Sequence, residues 1–385
     1  MRFSSRIVWG LKPNRLSQAV EAKRRAGVRI LDLTESNPTA AGLQYPAGLL
    51  ASLADPRALL YEPDPAGLQA AREQVSAYYH SRGVPVPPNK TLLTASTSES
   101  YSFLFKLLCD PGDEVLVPRP SYPLFEFLAA LESVAIRSYP LVYDGEWSID
   151  FERLKARLTP KTRAIVVVNP NNPTGSFLKR NELETLADLC GKHELALISD
   201  EVFSDYGFSP DDRRIETLAG VEEAPVFCLS GLSKVSALPQ MKLGWLVANR
   251  SEAVERLEWI ADTYLSVSTP VQYALRSLLA VRVPLQEQIR ARLAANLRLL
   301  KASLLPELNV LNVEGGWYAV MQVPRVRSEE DWALLLLERA DVLVQPGYFY
   351  DFETEAFLVV SLLTPERVFQ DGMARLAETV REALV

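Results

Sequence analysis

The sequence predicts an α/β fold: a large domain with a mostly parallel sheet flanked by helices, plus a smaller α+β domain. Three observations lead there. Short runs of apolar residues recur through the middle of the chain and alternate with helical stretches. Each run ends at turn residues, as strands buried on both faces do. Past about Val271 the alternation gives way to longer helices and scattered short strands. At 385 residues the chain is also too long for one small core.

Taken in order, Glu114 to Val117 is a short apolar run stopped by Pro118, and Ala164 to Val168 is rich in β-branched residues and stopped by Asn169-Pro170. Ala196 to Ser199, Val226 to Leu229 and Leu243 to Val247 follow in the same style. Between them, Arg180 to His193 carries Leu183, Leu186, Ala187 and Leu189 at helical spacing, with Gly191 near its end. Strands alternating with helices make an α/β domain with helices on both faces. A long helical stretch then runs from about Val271 through Leu275, Leu278, Ile289, Leu293, Leu297 and Leu300. Short strands are expected near 310–313 and 317–323, a helix over 331–339, and a last helix from about Pro365 to Leu384. The division expected is a large domain over residues 46–270 and a small one built from 1–45 and 271–385.

Composition narrows the function classes. A net charge of −7 gives no electrostatic footprint for nucleic acid or an anionic membrane. Lys23-Arg24-Arg25 reads as a solvated helix face. No apolar run approaches the roughly 20 residues that span a bilayer. The stretch Met1 to Arg6 is basic but no long apolar run follows, so it does not read as a signal peptide. Cys109, Cys190 and Cys228 are too widely spaced for a disulfide framework or a zinc motif, and a reducing cytoplasm fits them. His80 and His193 are the only histidines, which argues against a Ser-His-Asp triad or a multi-histidine metal site.

Five segments carry chemistry. Ser230-Gly231-Leu232-Ser233-Lys234 follows a strand directly, and Lys242 lies eight residues on. Either lysine alone reads as a surface charge, but two entering a buried region need an anionic partner. Asn169-Pro170-Asn171-Asn172-Pro173-Thr174-Gly175 is a turn by composition, yet it sits at the carboxyl end of a strand, where ligands of open α/β sheets collect. Asp200-Glu201 also lies past a strand, where an Asp is as often a helix cap. Thr94-Ala95-Ser96-Thr97-Ser98-Glu99 enters an amphipathic helix and reads equally as a plain N-cap or an anion site. Tyr122 stands in Pro120-Ser121-Tyr122-Pro123.

In this order the segments resemble the class I/II aminotransferases of the aspartate-aminotransferase superfamily, fold-type-I enzymes that depend on pyridoxal 5'-phosphate. The resemblance runs from about Asn37 to the final helix. It implies an amino-group transfer from an amino acid or amine to a 2-oxo acid. Lys234 resembles the Schiff-base lysine, an amine that adds to an aldehyde and then serves as general base. Asp200 resembles the partner of the pyridine nitrogen, which keeps the ring an electron sink. Asn172 matches the partner of the ring hydroxyl oxygen, and Tyr122 the aromatic that stacks on the ring. Ser96 and Thr97 fall in the phosphate loop, and Lys242 stands where the family usually has a phosphate-binding Arg. Tyr61, in Tyr61-Glu62-Pro63, resembles the tyrosine that reaches the neighbouring subunit's phosphate, which implies a homodimer.

Three positions depart from the pattern. Gly231 stands where a Ser is common, Phe203 where a Tyr usually donates to the ring hydroxyl oxygen, and Val359 where an Arg usually clamps the substrate carboxylate. Arg6 and Lys12 are the candidates to replace that charge. A lyase or decarboxylase on the same scaffold is a second reading, because fold and cofactor do not fix the reaction. A non-catalytic effector-binding module is a third, disfavoured by the acidic balance and by a chain that the two domains fill.

Overall fold

A computed structural model describes residues 1, 3–7, 12–303 and 306–384, so Arg2 of the basic N-terminal stretch lies outside the described residues. At its centre is an eight-stranded sheet in the order Thr91–Thr94, Gly244–Ala248, Val226–Gly231, Ala196–Asp200, Thr162–Val168, Glu114–Arg119, Ala135–Tyr143 and Trp147–Ile149. Gly244–Ala248 and Trp147–Ile149 run against the others, and the remaining strands are parallel. The expected apolar runs all form strands. The reversal of Gly244–Ala248 was not foreseeable, because an apolar run carries no direction.

The runs are strands because both of their faces are covered. On one face Leu116, Ile165, Val167, Leu197 and Cys228 pack with Leu186 and Leu189 of the helix Arg180–His193. On the other, Val115, Val166, Ile198 and Leu229 pack with Phe103 and Phe105 of the helix Thr97–Leu108. Complete burial of each such side chain contributes about 1.5–3 kcal/mol. Every parallel strand therefore ends its carboxyl terminus at one rim, which is where the motif loops begin.

A small antiparallel sheet has the order Asn309–Val310, Tyr318–Gln322, Phe357–Ser361, Gln345–Pro346. The helices Glu329–Ala340 and Glu366–Ala383 pack on it through Trp332, Leu336, Phe369 and Leu376. The N-terminal segment joins this body: Leu31 and Asp32 pair in parallel with Val342 and Leu343. Leu16 and Val20 of the helix Arg15–Arg25 enter the same core.

The expected long helix after Val271 is two helices, Thr269–Ala280 and Arg282–Ala302. Pro284 explains the break, since it has no N–H to continue the ladder and is tolerated in a first turn. The first helix packs Val271, Leu275 and Leu278 beneath the large sheet, while Leu285, Ile289 and Leu293 of the second join the small sheet's core.

Candidate active site

The rim of parallel strand ends opens into a cavity of about 210 Å3 lined by Thr97, Ser98, Tyr101, Tyr122, Asn172, Asp200, Val202, Phe203, Ser233, Lys234 and Tyr318, among others. Four chain segments that lie far apart in sequence converge there. Helix Thr97–Leu108 starts at its edge, with Ser96 as N-cap: the Ser96 hydroxyl accepts from the Glu99 amide at 3.3 Å. Glu99 in turn accepts from the amide of Ala95, the residue before the cap, at 2.6 Å, which ties the loop to the helix's first turn. Ser96 thus serves the helix, and Thr97 and Ser98 present the first turn to the cavity. Amides of a first turn have no intrahelical acceptor and sit at the positive end of the helix dipole, so they suit an anion.

Asp200 ends the strand Ala196–Asp200. Its Oδ1 accepts from the Val202 amide and its Oδ2 from the Tyr101 hydroxyl, each at 3.2 Å. Burial pushes its carboxyl up to about 6, against the pull of those two donors. Glu201 points the other way, as strand neighbours do, and is held by Leu218 N, Thr217 Oγ1 and Ser199 Oγ. It is a structural carboxylate beneath the sheet.

Lys234 sits in the short helix Leu232–Val235 just past the strand Val226–Gly231. Burial pushes its amine down to about 8, with the Asp200 charge opposing the shift. Nζ stands 4.7 Å from the Trp317 ring centre and 5.5 Å from that of Phe203. Tyr206 donates to the Lys234 carbonyl oxygen at 2.6 Å, fixing the backbone from below.

Gly231 is explained by sterics. It pairs with Gly244 across the ladder, and a Cβ on Gly231 would lie 2.8 Å from the Gly244 Cα. Gly175 likewise ends the Asn-rich loop with φ +72°, and a Cβ there would meet the Gly315 carbonyl at 2.5 Å. That close approach seats the loop, and Asn172 with it, against the segment that brings Trp317 and Tyr318.

Of the residues singled out in the sequence, Thr97, Tyr122, Asn172, Asp200 and Lys234 meet on this wall. Ser96 lies one residue behind it. Lys242 is exposed, with φ +50°, and is not on the wall. Tyr61 is 77 % exposed and lies by a separate groove with Glu62, Gly67 and Ser266. Arg6 donates to the Leu131 carbonyl oxygen and Lys12 is exposed, and neither lines the cavity. Val359 is fully buried in the small sheet, paired with Val320 and Gln345. Tyr101, Trp317 and Tyr318 were missed. Tyr101 was findable, since it follows Thr97 by four residues and so shares its helix face.

Residues 29–370 match the family of aminotransferase class I and II. The chain belongs to the class I and II aminotransferases. Its reaction class is amino-group transfer. Curated relatives include the tyrosine aminotransferase of Bos taurus, 26% identical over 327 residues, covering 81% of this chain and 72% of the relative. The glutamate-pyruvate aminotransferase of Haemophilus influenzae is 27% identical, covering 87% of each chain. Among solved structures, the alanine aminotransferase of Pyrococcus furiosus superimposes with TM-score 0.86 at 24% identity over 99% of this chain and 100% of that one. An aspartate aminotransferase double mutant from Thermus thermophilus gives 0.81 at 26% identity over 98% and 100%. The large sheet with its small sheet domain is therefore the fold of type I aminotransferases.

This aminotransferase cavity fits the family's cofactor, pyridoxal phosphate. The Asn172 Oδ1 atom is buried without a hydrogen-bond partner among the described residues. A carboxylate, an amine, an aromatic face and a helix N-terminus stand around the same space, matching a cationic ring nitrogen, an aldehyde, a flat ring and a phosphate.

Proposed function

We propose that this aminotransferase holds pyridoxal phosphate in the cavity between Thr97 and Asp200 and reacts through Lys234. The observation that carries the reading is that Asp200 and Lys234, delivered by adjacent parallel strands, face one cavity whose edge is a helix N-terminus. When bound, the cofactor supplies an aldehyde for amines and a ring that draws electrons from the carbon bearing the nitrogen.

The chain does the rest. Thr97 and Ser98, with Ser96 holding the turn, receive the phosphate, and Lys242 adds charge from nearby. Tyr122 and Val202 enclose the ring, and the Asn172 side chain meets its hydroxyl oxygen. Asp200 places its negative charge against the ring nitrogen, and a cation there draws the carboxyl back down from about 6. Lys234 has an amine that burial has made easier to deprotonate, so Nζ would be available to the cofactor as a neutral nucleophile. With the cofactor bound, Nζ would be the base placed to move a proton at the substrate's α-carbon. Trp317 and Phe203 keep water from that nitrogen.

Substrates are an amino acid or amine and a 2-oxo acid. With Val359 buried and apolar, a substrate carboxylate turns to the hydroxyls of Ser36 and Tyr318 on the cavity wall. Burial pushes the Tyr318 phenol up to about 12, so it remains a donor at neutral pH. We also propose a homodimer, because Leu59, Leu60 and Tyr61 form an exposed apolar run and Tyr61 lies in a groove with Phe103 of the cavity-edge helix, where it can face a second subunit. The domains proposed are a large one over residues 46–270 and a small one from 1–45 and 271–385, with the helix Thr269–Ala280 packing Val271, Leu275 and Leu278 into the large sheet's core. A cytoplasmic setting is consistent with three free cysteines. No described helix is long and apolar enough to cross a membrane.

The test is a Lys234→Ala variant with added pyridoxal phosphate. It should lose the long-wavelength absorbance of the lysine-bound cofactor and all turnover. Long-wavelength absorbance that stays with the variant through dialysis, or reduced cofactor fixed to it by borohydride, overturns the reading.

A further inference from the structure

We propose that Tyr101 is a positioning residue for Asp200, holding the carboxylate ionised and aimed at the ring end of the cavity. This rests on the reading that Asp200 faces the cofactor's ring nitrogen. The Tyr101 hydroxyl donates to Asp200 Oδ2 at 3.2 Å, and the Val202 amide donates to Oδ1. Both oxygens are thereby fixed. A carboxylate has about four lone-pair sites, so each oxygen keeps acceptor capacity for a cationic partner.

The tyrosine is itself immobile. It is 3 % exposed, and its ring meets Phe125 edge-on at 5.4 Å and Phe105 at 5.9 Å. Phe125 also lines the cavity, three residues after Tyr122. Tyr101 lies four residues after Thr97 in the helix Thr97–Leu108, so one helix face carries both the anion end and the support for the carboxylate. A fixed helix therefore sets the distance between the two ends of the site.

Burial, with the Asp200 charge adding, keeps the Tyr101 phenol protonated well above its ordinary range, so it stays a neutral donor. A donor to the ionised form of a carboxyl favours that form. The groups facing Asp200 are Tyr101 from the helix, Lys234 from the turn after the next strand, Glu201 beside it, and Tyr122 across the cavity. Among them Tyr101 and Lys234 favour the charge, and Glu201 opposes it.

The experiment follows the Asp200 carboxyl directly, by carbon NMR of the full chain labelled at aspartate, with Asp200→Asn assigning the signal. In protein freed of cofactor, Tyr101→Phe keeps the ring and removes the donor. The Asp200 midpoint should rise by roughly 1–2 pH units, the worth of one hydrogen bond to a charged group. A ring-fluorinated tyrosine at the same place, a stronger donor, should lower it. A midpoint unchanged in both variants overturns the proposal. The underlying reading is checked separately, by the nitrogen NMR shift of ring-labelled pyridoxal phosphate in the holoenzyme. Loss of the protonated-nitrogen signal in Asp200→Ala supports it. An unchanged signal there removes the cofactor part of the inference, while the midpoint shifts still decide whether Tyr101 tunes Asp200.

Discussion

Phe203 is packed edge-on against Trp317 at 5.3 Å and against Tyr318 at 6.2 Å, and it forms part of the cavity wall. It offers no hydroxyl to the cofactor. Tyr206, the neighbouring phenol, already donates to the Lys234 carbonyl and is turned away. Phe203→Tyr should therefore supply a new donor, stabilise the form of the bound cofactor that has lost its imine proton, and shift the midpoint of the visible spectral change to lower pH. A spectrophotometric pH titration of the two holoenzymes reads this, and coincident titrations count against it. Tyr318 makes a second residue-scale prediction. If its hydroxyl meets a substrate carboxylate, Tyr318→Phe should raise KM about tenfold or more for donors bearing an α-carboxylate and leave it near unchanged for simple amines, since a hydrogen bond to a charged group is worth about 1.5–3 kcal/mol. Equal changes for both classes place the carboxylate elsewhere. The residues that were legible in the sequence, Lys234, Asp200 and Asn172, sit at strand ends, where short-range patterns locate them. Trp317 and Tyr318 were hidden because they reach the cavity from a distant strand of the other sheet. That contact is a fact of tertiary packing, with no local signature.

At the scale of elements, the sequence pattern located strands and helices well where burial decides the matter. The helix Arg180–His193 has the expected ends, fixed by the Glu182 side chain accepting from the Lys179 amide at 2.9 Å and by Glu194 in a left-handed conformation. Apolar periodicity failed in two places for physical reasons. It ran through Val281 because Pro284 in a first turn leaves the apolar spacing intact while resetting the hydrogen bonds. It also gave Gly244–Ala248 no direction, although that strand's antiparallel pairing is what brings Gly244 against Gly231. This pairing makes a prediction. Gly231→Ser, which restores the residue common in the family, should destabilise the protein by about 1–3 kcal/mol, because a Cβ would meet backbone that cannot swing aside. Urea unfolding monitored by tryptophan fluorescence measures it. A variant as stable as the parent shows that the two strands separate readily, and that the absence of a Ser here has another cause.

The molecule as a whole places two ionisable groups where the cofactor-free protein has to hold them against burial. Asp200 is pushed up to about 6 and the Lys234 amine down to about 8. The unfolded chain titrates these groups near 3.9 and 10.4. Between about pH 4 and 6 the folded state binds more protons at Asp200 than the unfolded state does, so this contribution to stability falls as pH rises through that window. Between about 8 and 10.4 the unfolded state binds more protons at Lys234, so that contribution rises with pH. Cofactor-free protein should then carry its largest burden from these two groups between about pH 6 and 8, of order 2–3 kcal/mol for Asp200 before its attraction to Lys234 is counted. Asp200→Asn removes the charge while nearly preserving the shape. It should melt higher than the parent at pH 7 and no higher at pH 4, where the parent's carboxyl is already protonated. The expected gain at pH 7 is a few degrees for a chain of this size. Paired thermal melts of the two cofactor-free proteins at the two pH values decide it. A gain that is the same at pH 4 and pH 7 shows that the substitution acts through packing, and that the Asp200 site is not holding an energetically costly charge ready for a cationic ring.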